Sequence, residues 1–127
     1  NDPEWKGRWG PNPPFHTPTF VMTRHTRDPI AMEGGTTFHF RDGSPAEVLE
    51  EAREAAGGGD IRIGGGAKVI RSFLQERLID HMHVAVVPLL LGRGERLWDG
   101  QEGLERDYAI ESVSSPSGVT HLTFTRR

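Results

Sequence analysis

The chain has 127 residues, a formal net charge of −3 at pH 7, a pI near 6.1 and no cysteine. This length gives one domain with a real core. The charge argues against nucleic acid or an anionic membrane surface as the main partner, and the missing cysteine excludes a disulfide framework or a thiol nucleophile. No apolar run approaches the roughly 20 residues that span a bilayer, and no signal peptide is visible. The expected location is cytoplasmic.

The first 18 residues hold five of the nine prolines, with Trp5, Trp9 and Phe15 between them. So many aromatics predict an ordered loop rather than a disordered tail. A start without methionine, in such a loop, leads us to expect a preceding segment. Thr19–Thr23 reads as a buried strand and Thr36–Phe40 as a second. Ser44-Pro45-Ala46-Glu47 is a helix start: Ser at the N-cap, Pro at the first helical position, Glu three residues after the cap. Val48, Leu49, Ala52, Ala55 and Ala56 make its apolar stripe, and Gly57-Gly58-Gly59 stops it. Asp60–Ile63 reads as a third strand. The next helix is predicted over Ala67 to about Leu78, with Ile70, Phe73, Leu74 and Leu78 on one face. Met82–Val87 reads as a fourth strand and Leu89–Glu95 as a glycine-punctuated loop. Tyr108–Val113 and Val119–Thr125 flank Ser114–Gly118 as a C-terminal hairpin. Alternating strands and helices imply an α/β fold: a mixed, mostly parallel sheet flanked by helices, with an antiparallel hairpin at the end. No internal repeat or low-complexity segment is present.

The most informative motif is Gly64-Gly65-Gly66, between the expected strand Asp60–Ile63 and the helix that starts at Ala67. Glycine lets an anion approach the backbone. The free N–H groups and dipole of the helix's first turn then attract its charge. The motif therefore reads as a phosphate cradle in a nucleotide-cofactor-binding domain. It is not a Walker loop, because no Ser or Thr follows Lys68 and the spacing differs. Nor is it the dinucleotide fingerprint of the doubly wound fold, because Val69 stands where the last glycine would fall. Lys68 reads equally as a solvated helix-face lysine or as a phosphate contact. Thr23-Arg24, read from the residues alone, ends a strand at the surface.

Asp60 to Ala67 with the triplet, then Leu78-Ile79-Asp80, then Val87-Pro88-Leu89-Leu90-Leu91-Gly92-Arg93-Gly94, resembles the reductase (RibD C-terminal) domain of riboflavin biosynthesis. That domain belongs to the dihydrofolate-reductase superfamily. The match runs from about Phe15 to Trp98 and is expected to continue to the C-terminus. It is similar above all to stand-alone bacterial members, where Pro13-Pro14-Phe15-His16-Thr17-Pro18 and Gly34-Gly35-Thr36-Thr37-Phe38 have counterparts. The resemblance implies a dihydrofolate-reductase-like fold and NADPH as cofactor. It implies that Ile63, Gly64, Gly65, Gly66, Ala67, Lys68 and Val69 hold the pyrophosphate, and that Thr23 and Arg24 meet the adenosine 2′-phosphate. A hydroxyl beside a guanidinium suits a dianionic phosphate.

The resemblance further implies hydride transfer to a small-molecule substrate of pteridine, pyrimidine or ribosylamino type, as for the phosphoribosylamino-uracil of riboflavin biosynthesis, and a homodimer. The family's first strand, substrate-facing segment and phosphate loop have no counterpart here. A single domain, 1–127, lacking its N-terminal strands is therefore expected. His81 stands where riboflavin-type proteins usually show an acid. The alternative is a non-catalytic nucleotide-binding or interaction module with the same fold.

The six histidines supply no helical H-x-x-x-H and there is no cysteine pair, so no metal site is expected. Asp80-His81 reads as a polar helix-to-strand junction rather than an acid/base pair, and Trp98 as packing. No catalytic residue is assigned.

Overall fold

The computed structural model describes residues 9–127. The opening Asn1–Trp5 stretch, with Pro3 and Trp5, lies outside the described residues. Contacts divide the chain into two units, Asn1–Arg62 and Ile63–Arg127. Each has its own three-stranded sheet.

In the first unit, strand β1 (Pro18–Met22) runs parallel to β3 (Thr37–Arg41), and the two-residue β2 (Ile30–Ala31) pairs antiparallel with β3 on its other edge. Helix α1 (Pro45–Ala56) packs against β1 and buries Val48 and Leu49. Its start is the predicted capping box. The Ser44 hydroxyl accepts the Glu47 N–H at 3.2 Å, and the Glu47 carboxylate accepts the Ser44 N–H at 3.2 Å. Gly57 closes the helix in the left-handed region, donating to the Arg53 and Glu54 carbonyls. An Arg41–Glu51 ion pair at 2.7 Å joins β3 to α1 at the surface.

The proline-rich loop is ordered over its described part. Trp9 meets the edge of Phe15 at 5.2 Å, and Phe15 meets Phe38 at 6.3 Å. Thr36 is fully buried; its Oγ1 accepts the His16 N–H at 2.8 Å and donates to the Pro13 carbonyl at 3.5 Å. Gly34 has φ +79°, and a Cβ there would strike Asn12 and His16. Only glycine fits this crossing of two loops.

In the second unit, helix α2 (Ala67–Gln75) is followed by β4 (His81–Val86), β5 (Tyr108–Ser114) and β6 (Thr120–Arg126). The sheet order is β4-β6-β5 and every ladder is antiparallel. Phe73, Leu74, Ile79, Tyr108 and Phe124 are buried. Helix α2 stops short of Leu78. Arg77 takes φ +58°, its N–H donates to the Leu74 carbonyl at 3.0 Å, and the Leu78 N–H donates to the Phe73 carbonyl at 3.0 Å. This is a Schellman closure, with arginine where glycine is usual.

Two sequence expectations change. Asp60–Ile63 is not a strand and pairs with no described strand. The alternation of Ile61 and Ile63 with polar neighbours satisfies the pattern, but a strand exists only where a neighbour supplies its ladder. The sheets are therefore not mostly parallel: β1 with β3 is the single parallel ladder among the described residues, and the others are antiparallel. The mixed α/β class and the C-terminal hairpin stand as expected.

Replacing Thr36 with valine keeps the volume but leaves the part-buried His16 N–H without its acceptor and the buried Pro13 carbonyl without this donor. Thr36→Val is expected to lower stability by about 1–3 kcal/mol, read as a lower urea midpoint at unchanged slope. An unchanged midpoint contradicts this account of the loop.

Candidate functional site

The site begins at the N-terminus of α2. Gly64, Gly65 and Gly66 are exposed, and a Cβ added at any of them meets nothing within 4 Å. Gly65 has φ +125°, a conformation that side-chain-bearing residues rarely take. Gly66 is the N-cap with φ −71° and ψ 170°, and no side chain caps it. The first intrahelical bond runs from the Ile70 N–H to the Gly66 carbonyl at 3.2 Å. The N–H groups of the turn before it, those of Ala67, Lys68 and Val69, therefore have no acceptor within the helix. No acidic residue stands in that turn. Lys68 is exposed and makes no ion pair among the described residues, whereas Ala67, Val69 and Ile63 are half-buried. A positive helix end, an open glycine approach and an ammonium with no ion pair among the described residues are features that suit an anion.

The loop that follows β4 is tied to the same helix. Arg71, on α2, donates to the Arg96 carbonyl at 2.5 Å and reaches the Glu95 carboxylate at 3.4 Å, with only 17% of its side chain exposed. The Leu89–Arg96 loop is thereby held to α2. Sequence reading missed this tie, because an arginine on a helix carries no signal of a partner 25 residues on. The loop and its entry expose an unusual apolar run: Val87 57%, Leu89 65%, Leu90 98%, Leu91 76%.

The Leu78-Ile79-Asp80 motif is structural. Ile79 is buried, and Asp80 is exposed and pairs with Arg126 at 3.5 Å. That matches the junction reading. Trp98 packs on Phe124 at 5.4 Å, and it also lines an open hollow of about 760 Å³ with Val84 and the 96–105 loop.

Thr23 and Arg24 belong to the first unit, at the end of β1. The Thr23 N–H donates to the Arg41 carbonyl at 2.9 Å, extending the β1–β3 ladder by one bond. Its Oγ1 accepts the His25 N–H at 3.0 Å, which leaves the hydroxyl proton free to donate outward. Arg24 is exposed and makes no ion pair among the described residues. A free donor and a free guanidinium side by side suit a phosphate.

Comparison with family models matches residues 1–122 to the RibD C-terminal domain. The chain belongs to the RibD C-terminal domain family. It is a family of reductases. Two solved structures agree in fold. One is a protein of Shewanella sp. PV-4 provisionally assigned to riboflavin biosynthesis, at 28% identity and a TM-score of 0.64, aligned over 90% of this chain and 63% of that one. The other is a pyrimidine reductase-like protein of Corynebacterium diphtheriae, at 20% identity and a TM-score of 0.53, over 72% of this chain and 39% of that one. The chain thus spans less than two thirds of either. Comparison with curated proteins gives no match. No helix among the described residues is long and apolar enough to cross a membrane.

Gly65→Val places a β-branched side chain at positive φ in the mouth of the cradle. It is expected to abolish dinucleotide binding while the circular dichroism spectrum is retained. A folded variant that binds as the parent does contradicts the site.

Proposed function

We propose that this chain forms part of an NADPH-dependent reductase acting on a pteridine-, pyrimidine- or ribosylamino-type substrate of riboflavin-biosynthesis chemistry. The observation that carries the reading is the uncapped N-terminus of α2 behind three open glycines. It fits a pyrophosphate: backbone N–H donors, space for close approach and no competing acid. Membership of the reductase family supports the redox class.

When bound, NADPH supplies the hydride at C4 of its nicotinamide, and the organic step is the cofactor's own. The residues of this chain bind and orient. The amides of the first α2 turn and Lys68 neutralise the pyrophosphate. Thr23 donates its hydroxyl proton and Arg24 its charge to the 2′-phosphate, which distinguishes NADPH from NADH. Holding the cofactor in a fixed pose is itself a large part of catalysis, because it replaces a bimolecular encounter by an oriented one.

The test is a fluorescence titration with NADPH and NADH on the parent and on Arg24→Ala. NADPH is expected to bind more tightly by about tenfold or more, with Arg24→Ala losing most of that preference. Equal affinities in the parent, or an unchanged preference in the variant, contradict the assignment of Thr23 and Arg24. Tight NADPH binding with no oxidation by any pteridine or pyrimidine substrate favours a nucleotide-binding module in place of an enzyme.

A further inference from the structure

One face of the second unit's sheet carries an arrangement that the proposed reductase chemistry does not use. Register places His81, His83 and Ala85 of β4, His121, Thr123 and Thr125 of β6, and Ala109, Glu111 and Val113 of β5 on the same side. These residues are exposed, apart from the half-buried His121 and Thr123, so the face is open to solvent. On it the Nε2 of His83 lies 3.0 Å from the Nδ1 of His121. The ring planes are within 6° of parallel, and the ring centres are 5.2 Å apart, farther than the two nitrogens, so the rings meet edge to edge. This is an N–H···N hydrogen bond of ordinary length, in which one imidazole donates and the other accepts. It joins diagonal neighbours on adjacent strands, since His83 pairs with Thr123 and His121 with Ala85. Two other titratable side chains share the face. His81 lies two residues before His83 on β4, its Nδ1 3.5 Å from the Thr125 hydroxyl. Glu111 stands on β5 opposite Thr123, across β6 from His83, and makes no ion pair among the described residues.

We propose that this bond is a proton-counting latch between β4 and β6, closed when the pair carries no added proton or one, and open when it carries two. With both rings neutral, one N–H faces one lone pair. A first proton enters on the far side of whichever ring donates, at Nδ1 of His83 or Nε2 of His121, and the bond becomes charge-assisted and stronger. A second proton leaves neither ring a lone pair. Two N–H groups then face each other and two like charges stand side by side on adjacent strands, so the latch opens. In the unfolded chain the rings lie apart and each takes its proton freely. The unfolded state therefore binds more protons than the latched one in acid, and the latch's contribution is present near neutral pH and lost as pH falls through the ordinary imidazole range. Strand β4 leads directly into Val87 and the Leu89–Arg96 loop, so the latch secures the strand from which that loop springs.

The experiment measures urea unfolding of the parent, His83→Thr, His121→Thr, the double variant and His81→Thr, each at about pH 7.5 and about pH 5, on either side of the imidazole range. Threonine suits strand positions, so the variants keep their sheet, and far-UV circular dichroism confirms the fold. On going to the lower pH, the parent's folding equilibrium constant is expected to fall by about three- to tenfold more than that of His83→Thr or His121→Thr. The double variant behaves as the single ones do, because removing either ring already removes the bond. His81→Thr keeps the parent's pH dependence, which separates the latch from the mere loss of one imidazole. A parent whose pH dependence equals that of either single variant, single effects that add in the double variant, or a His81→Thr effect equal to theirs overturns the latch.

Discussion

The carbonyl oxygen of Ile79 accepts two hydrogen bonds at once, from the Tyr108 hydroxyl at 2.5 Å and from the Arg126 guanidinium at 2.9 Å. Ile79 and Tyr108 are both buried, and Tyr108 also stands edge-on to Phe124 at 6.0 Å. A buried carbonyl without a partner would be costly. Here the donors come from β5 and β6 while the acceptor sits between α2 and β4. The position of α2 against its sheet therefore depends on this junction. A further Arg126 contact to the Arg77 carbonyl closes the turn behind the helix. With its C-terminal end fixed there, the opposite end of α2 is held in one place, and that end carries the glycine triplet.

The two helices make a useful contrast. Helix α1 has every local device: Ser44 and Glu47 satisfy its first turn, Pro45 sits where a missing N–H does no harm, and Gly57 closes it. Helix α2 has an ordered C-terminal closure but three glycines where α1 has its capping box. With glycine at the N-cap, the start of α2 is less stable than a Ser-capped one by only about a few tenths of a kcal/mol. The same sequence that caps one helix fully leaves the other open. The open start is the feature that a phosphate would satisfy, with the Arg71 tie to Glu95 and Arg96 bringing a glycine-bearing loop onto the same helix.

How much the sequence disclosed follows from how local each determinant is. The boundaries of α1 were legible because a capping box and a C-terminal glycine act within one turn. The hairpin of β5 and β6 was legible because its turn residues and alternation lie side by side. Asp60–Ile63 misled because strand formation depends on a neighbour, which four residues cannot announce. The two-residue β2 was too short to read. The Schellman closure at Arg77 was missed because arginine replaces the expected glycine. At the site, the glycine triplet was legible from backbone chemistry alone. Thr23 and Arg24 entered the reading through family resemblance alone, and the His25 N–H bond to the Thr23 hydroxyl is a contact that the sequence could not supply. The Arg71 tie is a long-range contact, invisible to any local pattern.

The central claim is that the first turn of α2 is the dinucleotide-phosphate site. The direct measurement is an amide correlation NMR spectrum of the labelled chain, recorded while NADPH is added. The account predicts that the Gly65, Gly66, Ala67, Lys68 and Val69 amides shift together and saturate at one equivalent, as their protons take phosphate oxygen as acceptor. Saturable NADPH binding that leaves these five amides unmoved would contradict it.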